Sequence, residues 1–139
     1  MISRLKQAFR CLFLKFDKRD EEEVKKILSK EEFSIFNEMS DYDRLHSFLI
    51  YKAVQKNEIL KKESRYLKLA LLHDCGKGNV TFYRRVKKVL IGDEMLEKHP
   101  ENAYQKLKEI DLELARLCRD HHKKNVEDKM RIFQQIDDE

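Results

Sequence analysis

The stretch Leu71-Leu72-His73-Asp74-Cys75-Gly76-Lys77-Gly78 places an imidazole beside a carboxylate at the point where an apolar run ends in glycine. Adjacent residues inside a helix point about 100° apart, so they do not easily share one ligand. Where a helix ends at glycine the backbone direction changes, and both side chains can converge on one centre. The doublet His73-Asp74 is therefore a predicted metal-binding corner, and the rest of the chain is the scaffold that brings further ligands to it.

The composition indicates an all-α fold. The 139 residues include only 3 glycines and 1 proline, while 41% are hydrophobic and 40% are charged. Few helix breakers, together with abundant Lys, Glu, Leu and Ile, favour long helices joined by short connections. A chain of this length suits one domain that buries roughly two-thirds of its unfolded surface. The expected architecture is a single compact bundle of about six to eight helices.

The charges are typical of a solvated helical surface. There are 30 cations and 26 anions, interleaved along the chain, for a net charge of +4. This balance gives no strong nucleic-acid signal. The three cysteines, Cys11, Cys75 and Cys118, are widely spaced and form neither a disulfide framework nor a CxxC metal motif. This cysteine usage fits a reducing cytoplasm best, so we expect a cytoplasmic protein. No apolar run reaches the length of about 20 residues that spans a membrane, so nothing is expected to span one.

Residues 1–16 form a predicted amphipathic helix. Apolar side chains recur at helical spacing from Ile2 to Phe16, and every charge between them is positive. Such a helix packs on its own domain or on a second subunit, or it lies on an anionic membrane surface. We expect packing. Residues 1–40 are therefore assigned as an N-terminal helical extension with packing or homodimer contacts, and residues 41–139 as the main domain.

Cap and breaker residues divide the rest of the chain into further helices. After a helix over 21–28, Ser29 and Glu32 form a predicted capping box for a short helix. Asp41 is expected to cap the next helix, and an apolar helix over 63–72 leads to the doublet. Later helices are expected over 80–90, from Pro100 to about residue 110, over 112–119 and from Asn125 onward.

All five histidines lie at a predicted helix junction or beside an inner helix face: His46, His73, His99, His121 and His122. A lone histidine on an apolar face is more often a hydrogen-bonded core residue than a ligand. Five so placed, with acids at Asp74 and Asp137, favour a metal site instead. Imidazoles and carboxylates together suit first-row divalent ions, namely iron, manganese, cobalt, nickel or zinc, whereas calcium prefers oxygen ligands alone. The expected cofactor is a divalent transition metal.

These residues resemble the HD superfamily of metal-dependent phosphohydrolases. The segment from Leu71 to Lys77 is similar to the family's LLHDxGK motif, and Phe133-Gln134-Gln135-Ile136-Asp137 resembles the segment that carries its last acidic ligand. The resemblance covers about residues 41–139 and implies an HD-domain-like helical bundle. It also implies four ligands for a first metal ion: His46, His73, Asp74 and Asp137. Asp138 is the rival to Asp137, but the position after Ile136 matches the family better at Asp137.

The remaining histidines resemble the additional ligands of the family's two-metal branch, which includes the HD-GYP and related cyclic-dinucleotide phosphodiesterases. This implies two ions per chain, with Asp74 bridging them and with His99 and His121 on the second ion. His122 is then a further ligand or a phosphate contact. The Gly-Tyr-Pro of the HD-GYP pattern does not follow His121-His122, where Lys123-Lys124-Asn125 stands instead.

The implied chemistry is attack on phosphorus by a metal-activated hydroxide, with Asp74 as a catalytic residue. Lys77 follows the doublet by one turn, where it either balances phosphate charge as a catalytic and substrate-binding residue or is a lysine favoured by the helix dipole. Arg84 and Arg85 belong to a cation-dense segment that either forms a substrate-binding rim or is a solvated face.

The expected function is therefore hydrolysis of a phosphoester in a nucleotide or a cyclic or linear dinucleotide, and the expected partner is a small phosphorylated substrate. Two alternatives stay open. One is an HD-like di-iron oxygenase built on the same ligand set, which strict dependence on oxygen and iron would identify. The other is a catalytically silent signalling or binding module, although such modules typically lose ligands that this chain retains. The ligand pattern does not specify the base or the sugar.

Overall fold

The computed structural model describes residues 16–77 and 98–138. Within these ranges the chain forms α-helices and 3-10 turns and no β-strand, so the predicted all-α fold is confirmed. The helices in chain order are α1 (Lys18–Ile27), α2 (Lys30–Asn37), α3 (Asp41–Lys56), α4 (Ser64–Leu72), α5 (His99–Leu107), α6 (Leu112–Asp120) and α7 (Asp128–Asp138). Two 3-10 turns, Leu60–Lys62 and Cys75–Lys77, precede and follow α4. None of these helices is long and apolar enough to cross a membrane.

Side-chain caps determine where the early helices begin. The Ser29 hydroxyl accepts from the backbone N–H of Glu32, whose carboxylate accepts from the backbone of Ser29, so the predicted capping box of α2 is confirmed. The cap of α3 is Ser40, and the prediction of Asp41 was wrong. Asp41 is already the first helical residue, and its carboxylate pairs with Arg44 one turn further along.

Two later helix boundaries also differ from the prediction. Helix α5 ends at Leu107, short of the predicted residue 110. The backbone N–H groups of Ile110 and Asp111 both donate to the Leu107 carbonyl, which closes the helix end. Helix α7 begins at Asp128 and not at Asn125; residues 121–127 form a turn, a bend and irregular chain. The predicted helix over 80–90 and residues 1–15 of the first predicted helix lie outside the described residues.

Helix α4 is the centre of the core. Its last four residues, Leu69 to Leu72, have no exposed surface. This last turn is apolar on every side, so it must be surrounded by other elements, and helices on both sides of residue 40 share one apolar cluster with it. Val24 of α1 and Phe36 of α2 are fully buried members of that cluster. The end of α4, with the doublet that follows it, therefore lies inside the protein.

Candidate metal centre

The doublet lies at the C-terminus of α4. His73 is the C-cap residue, and its backbone N–H still donates to the Leu69 carbonyl at 2.7 Å. The chain then turns into the 3-10 turn Cys75–Lys77, in which the Lys77 backbone N–H donates to the Asp74 carbonyl. Both side chains are buried, with 0% exposure for His73 and 2% for Asp74. The helix end thus directs an imidazole and a carboxylate into the interior.

Four predicted ligands converge in what we call the first subsite, which consists of His46, His73, Asp74 and Asp137. His46 comes from the middle of α3 and Asp137 from the last turn of α7. The Nε2 atom of His73 lies 3.3 Å from Asp74 Oδ2 and 3.2 Å from Asp137 Oδ1. The Nε2 atom of His46 lies 3.7 and 3.6 Å from the same two oxygens. Asp138, the rival acid, is exposed.

The hydrogen bonding of His73 leaves a lone pair directed at this subsite. Its Nδ1–H donates to the Ala70 carbonyl at 2.8 Å, so the neutral ring carries its lone pair on Nε2. Nε2 is buried and has no hydrogen-bond partner of good geometry among the described residues. The nearest oxygens belong to Asp74 and Asp137, which are themselves acceptors. When the ring is neutral these atoms are all acceptors, and a bound cation or a proton on Nε2 stabilises the arrangement.

The spacing of these atoms fits a first-row divalent ion. Ligands bound to one ion at about 2.1 Å lie about 3.0 Å apart in an octahedral arrangement and about 3.4 Å apart in a tetrahedral one. The four nitrogen–oxygen pairs of the first subsite lie 3.2–3.7 Å apart. Two imidazoles and two carboxylates are also a donor set that such ions favour.

A second group of histidines forms the second subsite, which consists of His99, His121 and His122. His99 is the first residue of α5, and His121 is the C-cap residue of α6. The Nε2 atoms of His99 and His121 lie 3.2 Å apart, and both rings are buried. The Nδ1–H of His121 donates to the Cys118 carbonyl, which directs Nε2 toward His99. His122 is exposed at the edge, with its ring centroid 4.1 Å from that of His121.

Asp74 connects the two subsites through its two carboxylate oxygens. Oδ2 faces His46 and His73, whereas Oδ1 lies 3.3 Å from the Nε2 atom of His99. One carboxylate thus offers a separate oxygen to each group of histidines. The Asp74 carboxylate therefore belongs to both groups.

Electrostatics keep both acids ionised. Burial works against the charged form, but the charge of His73 holds the pKa of Asp137 well below its usual range. The pKa of Asp74 is likewise well below its usual range, because His73, Lys77 and His99 outweigh the burial. Burial works against protonation of His73, yet the two carboxylates raise the pKa of His73 to about 9. Without a metal ion, a proton on His73 takes the place of the cation.

Lys77 belongs to the same buried network. Its side chain is only 6% exposed, and its ammonium lies 3.3 Å from Asp74 Oδ1. Lys77 therefore stands beside the oxygen that faces the second subsite. Arg84 and Arg85, the other predicted substrate-binding cations, lie outside the described residues.

Gly76 sets how closely α5 approaches the doublet, which the sequence did not indicate. A Cβ atom on Gly76 would lie 2.0 Å from the His99 carbonyl oxygen and 2.6 Å from the Ala103 backbone nitrogen. Side chains of α5 also bind this turn: Asn102 donates to the Gly76 carbonyl at 3.2 Å, and Lys106 donates to the Cys75 carbonyl at 3.1 Å. The glycine is needed for space at this contact, which fixes His99 relative to Asp74.

Comparison with known proteins gives one match. A family model described as the HD domain matches residues 46–137, more than half of the chain. The matched segment begins at His46 and ends at Asp137, the first and the last of the predicted ligands. No curated protein and no solved structure matches the chain.

Proposed function

Because the chain belongs to the HD-domain family, we propose that it is a metal-dependent phosphohydrolase that cleaves a phosphoester of a nucleotide or of a cyclic or linear dinucleotide. The observation that carries this proposal is the Asp74 carboxylate, whose two oxygens face different groups of histidines. The second subsite adds two buried imidazoles, His99 and His121, beside the oxygen of Asp74 that the first subsite leaves free. The donor set therefore favours a centre for two ions.

Divalent ions in these subsites would supply an activated water and neutralise charge on the phosphate. The protein's part is to hold the donors in place. His73 and His121 are each fixed by an Nδ1–H bond to a backbone carbonyl, which leaves Nε2 of both rings for the centre. Asp74 and Asp137 bring the negative charge that attracts the ions.

Lys77 and His122 are the proposed contacts for the substrate. The Lys77 ammonium adds a positive charge beside Asp74 Oδ1, on the side of the second subsite, where it would attract a phosphate oxygen. His122 is the exposed member of the second subsite, so it lies where a substrate would enter. An anionic phosphodiester or phosphomonoester suits both positions, which supports a phosphorylated substrate; the nucleotide class rests on the family resemblance.

The experiment combines metal analysis of the purified protein with turnover of bis-p-nitrophenyl phosphate in the presence of Mn²⁺. We expect about two ions per chain and hydrolysis that proceeds without oxygen. Asp74→Asn should lose turnover and most of the bound metal, because it weakens a ligand of both subsites. Asp138→Asn is the matched control, since Asp138 is exposed, and it should retain both.

Three results would contradict the proposal. Full turnover in Asp74→Asn would remove the bridging carboxylate from the mechanism. Activity that strictly requires oxygen and iron would identify an oxygenase on the same ligands. Metal binding without hydrolysis of any ester, with Mn²⁺, Fe²⁺, Co²⁺, Ni²⁺ or Zn²⁺, would identify a binding module.

A further inference from the structure

Gln134 of α7 holds the turn that carries two histidines of the second subsite. Its side-chain amide donates to the His121 carbonyl at 3.1 Å and to the Lys123 carbonyl at 2.7 Å. These carbonyls stand on either side of His122, at the point where α6 ends and the chain turns toward α7. One amide group thus binds the backbone before and after His122.

The position of Gln134 on α7 links this turn to the first subsite. Asp137 follows Gln134 by three residues, so the two side chains leave the same face of the helix one above the other. Asp137 contributes its carboxylate to the first subsite at 3.2 Å from His73. The same helix face therefore supplies a ligand to one subsite and holds the backbone of the other.

The turn is the less constrained part of the second subsite. His99 belongs to α5, which is packed on the Cys75–Lys77 turn through Gly76, whereas His121 and His122 end α6 and begin an irregular segment. The ring of His121 is fixed by the Cys118 carbonyl, but this bond does not fix the chain beyond it. Across the turn the Lys123 backbone N–H donates to the Asp120 carbonyl. The Gln134 amide adds the two bonds that hold the turn to α7.

We propose that Gln134 is a positioning residue that holds the His121-His122 turn against α7 and so sets the affinity of the second subsite for its ion. This inference rests on the proposed two-ion centre. Hydrogen-bonding groups outside the ligands themselves commonly change metal affinity by about 10- to 100-fold when removed. Loss of the Gln134 bonds should weaken the second ion by a factor in that range and leave the first ion unchanged.

The chain offers a matched pair of residues for the test. Gln135 is the next residue on α7, has the same side chain and is exposed. Gln134→Met keeps the length of the side chain but removes the donor, and Gln134→Ala removes both. The same two substitutions at Gln135 are the controls.

Two measurements test the proposal. Isothermal calorimetry measures the affinity of the metal-free protein for Mn²⁺, and the absorption spectrum is recorded as Co²⁺ is added. Thermal unfolding of each metal-free variant shows whether the fold is retained. We expect the wild type and both Gln135 variants to bind two ions with the same two affinities. Both Gln134 variants should bind the first ion normally and the second about 10- to 100-fold more weakly. Their Co²⁺ spectrum should match that of the wild type for the first ion added per chain and differ from it for the second.

Three results overturn the proposal, and the last of them separates it from the proposed function. If the wild type binds two ions and Gln134→Met binds both with unchanged affinity, or loses both equally, Gln134 has no specific role in the second subsite. If the wild type itself binds only one ion, the two-ion centre is wrong, and the proposed role of Gln134 is wrong as well. A purely structural role would lower the unfolding temperature of the metal-free variants without changing the ratio of the two affinities.

Discussion

Gly76→Ala should move His99 away from Asp74 and so disturb the second subsite, while the first subsite stays intact. The added methyl group would lie 2.0 Å from the His99 carbonyl oxygen, 2.6 Å from the Ala103 nitrogen and 2.9 Å from Asn102 Cβ. The first two are backbone atoms of α5, so no side-chain rotation relieves the clash. The first turn of α5 must therefore move away from the doublet by about 1 Å or more.

The expected size of the effect follows from what this turn carries. His99 is the first residue of α5 and lies 3.3 Å from Asp74 Oδ1, so the shift moves the imidazole of the second subsite relative to the Asp74 carboxylate. A displacement of this size can reduce a catalysed rate by about 100-fold. Overpacking in a buried contact costs about 1–3 kcal/mol of stability. None of the four first-subsite residues belongs to α5, so binding of the first ion should be unchanged.

The assay is Mn²⁺ titration with turnover of bis-p-nitrophenyl phosphate, and thermal unfolding of the metal-free protein confirms folding. Asn102→Ala is the companion variant, because it removes the bond to the Gly76 carbonyl without adding atoms, and it should weaken the second ion less than Gly76→Ala does. Gly76→Asn should fail as Gly76→Ala does, whereas a site that needed a left-handed backbone would tolerate asparagine better. Normal binding of the second ion and normal turnover in Gly76→Ala would refute this account of the contact.

Two further predictions concern the first subsite. Asp137→Asn should weaken binding of the first ion by at least about 10-fold, while Asp138→Asn should leave it unchanged; equal effects in a metal titration would contradict the assignment of the last ligand. The second prediction concerns pH. In the metal-free protein the pKa of His73 is raised to about 9, above the value of about 6.5 expected in the unfolded chain. The protonated ring therefore stabilises the fold fully below pH 6.5, and this contribution is lost as the pH rises through 9. Urea unfolding in EDTA should therefore show stability falling between these values by up to about 3 kcal/mol, and a flat profile would show that His73 is not paired with the acids.

The sequence predicted those parts of the molecule that depend on local pattern. The apolar run of α4 gives the helix its buried position. The doublet lies at its end because the chain turns at Cys75–Lys77, which contains Gly76. The capping box of Ser29 and Glu32 depends on residues three apart, so it too is visible in the sequence. The last ligand was inferred from the resemblance of residues 133–137 to a family motif, and the structure places Asp137 beside His73.

The remaining features depend on contacts between distant segments. The bonds from Asn102 to Gly76 and from Gln134 to His121 each join a side chain to a backbone carbonyl on another element, and no residue spacing encodes such a pair. The steric need for Gly76 arises only when α5 packs against it. The start of α7 was also missed, since the chain between α6 and α7 stays irregular through residue 127.

The buried charges explain how the scaffold can form before a metal ion binds. Burying an ionised carboxylate costs several kcal/mol unless a positive group compensates it. Asp74 and Asp137 are compensated by Lys77 and by a proton on His73, two positive charges against two negative ones. The proton is the part of this compensation that an ion displaces, because Nε2 of His73 cannot hold both. Metal binding must therefore release a proton and strengthen as the pH rises toward 9, while Lys77 keeps its charge and stays beside Asp74.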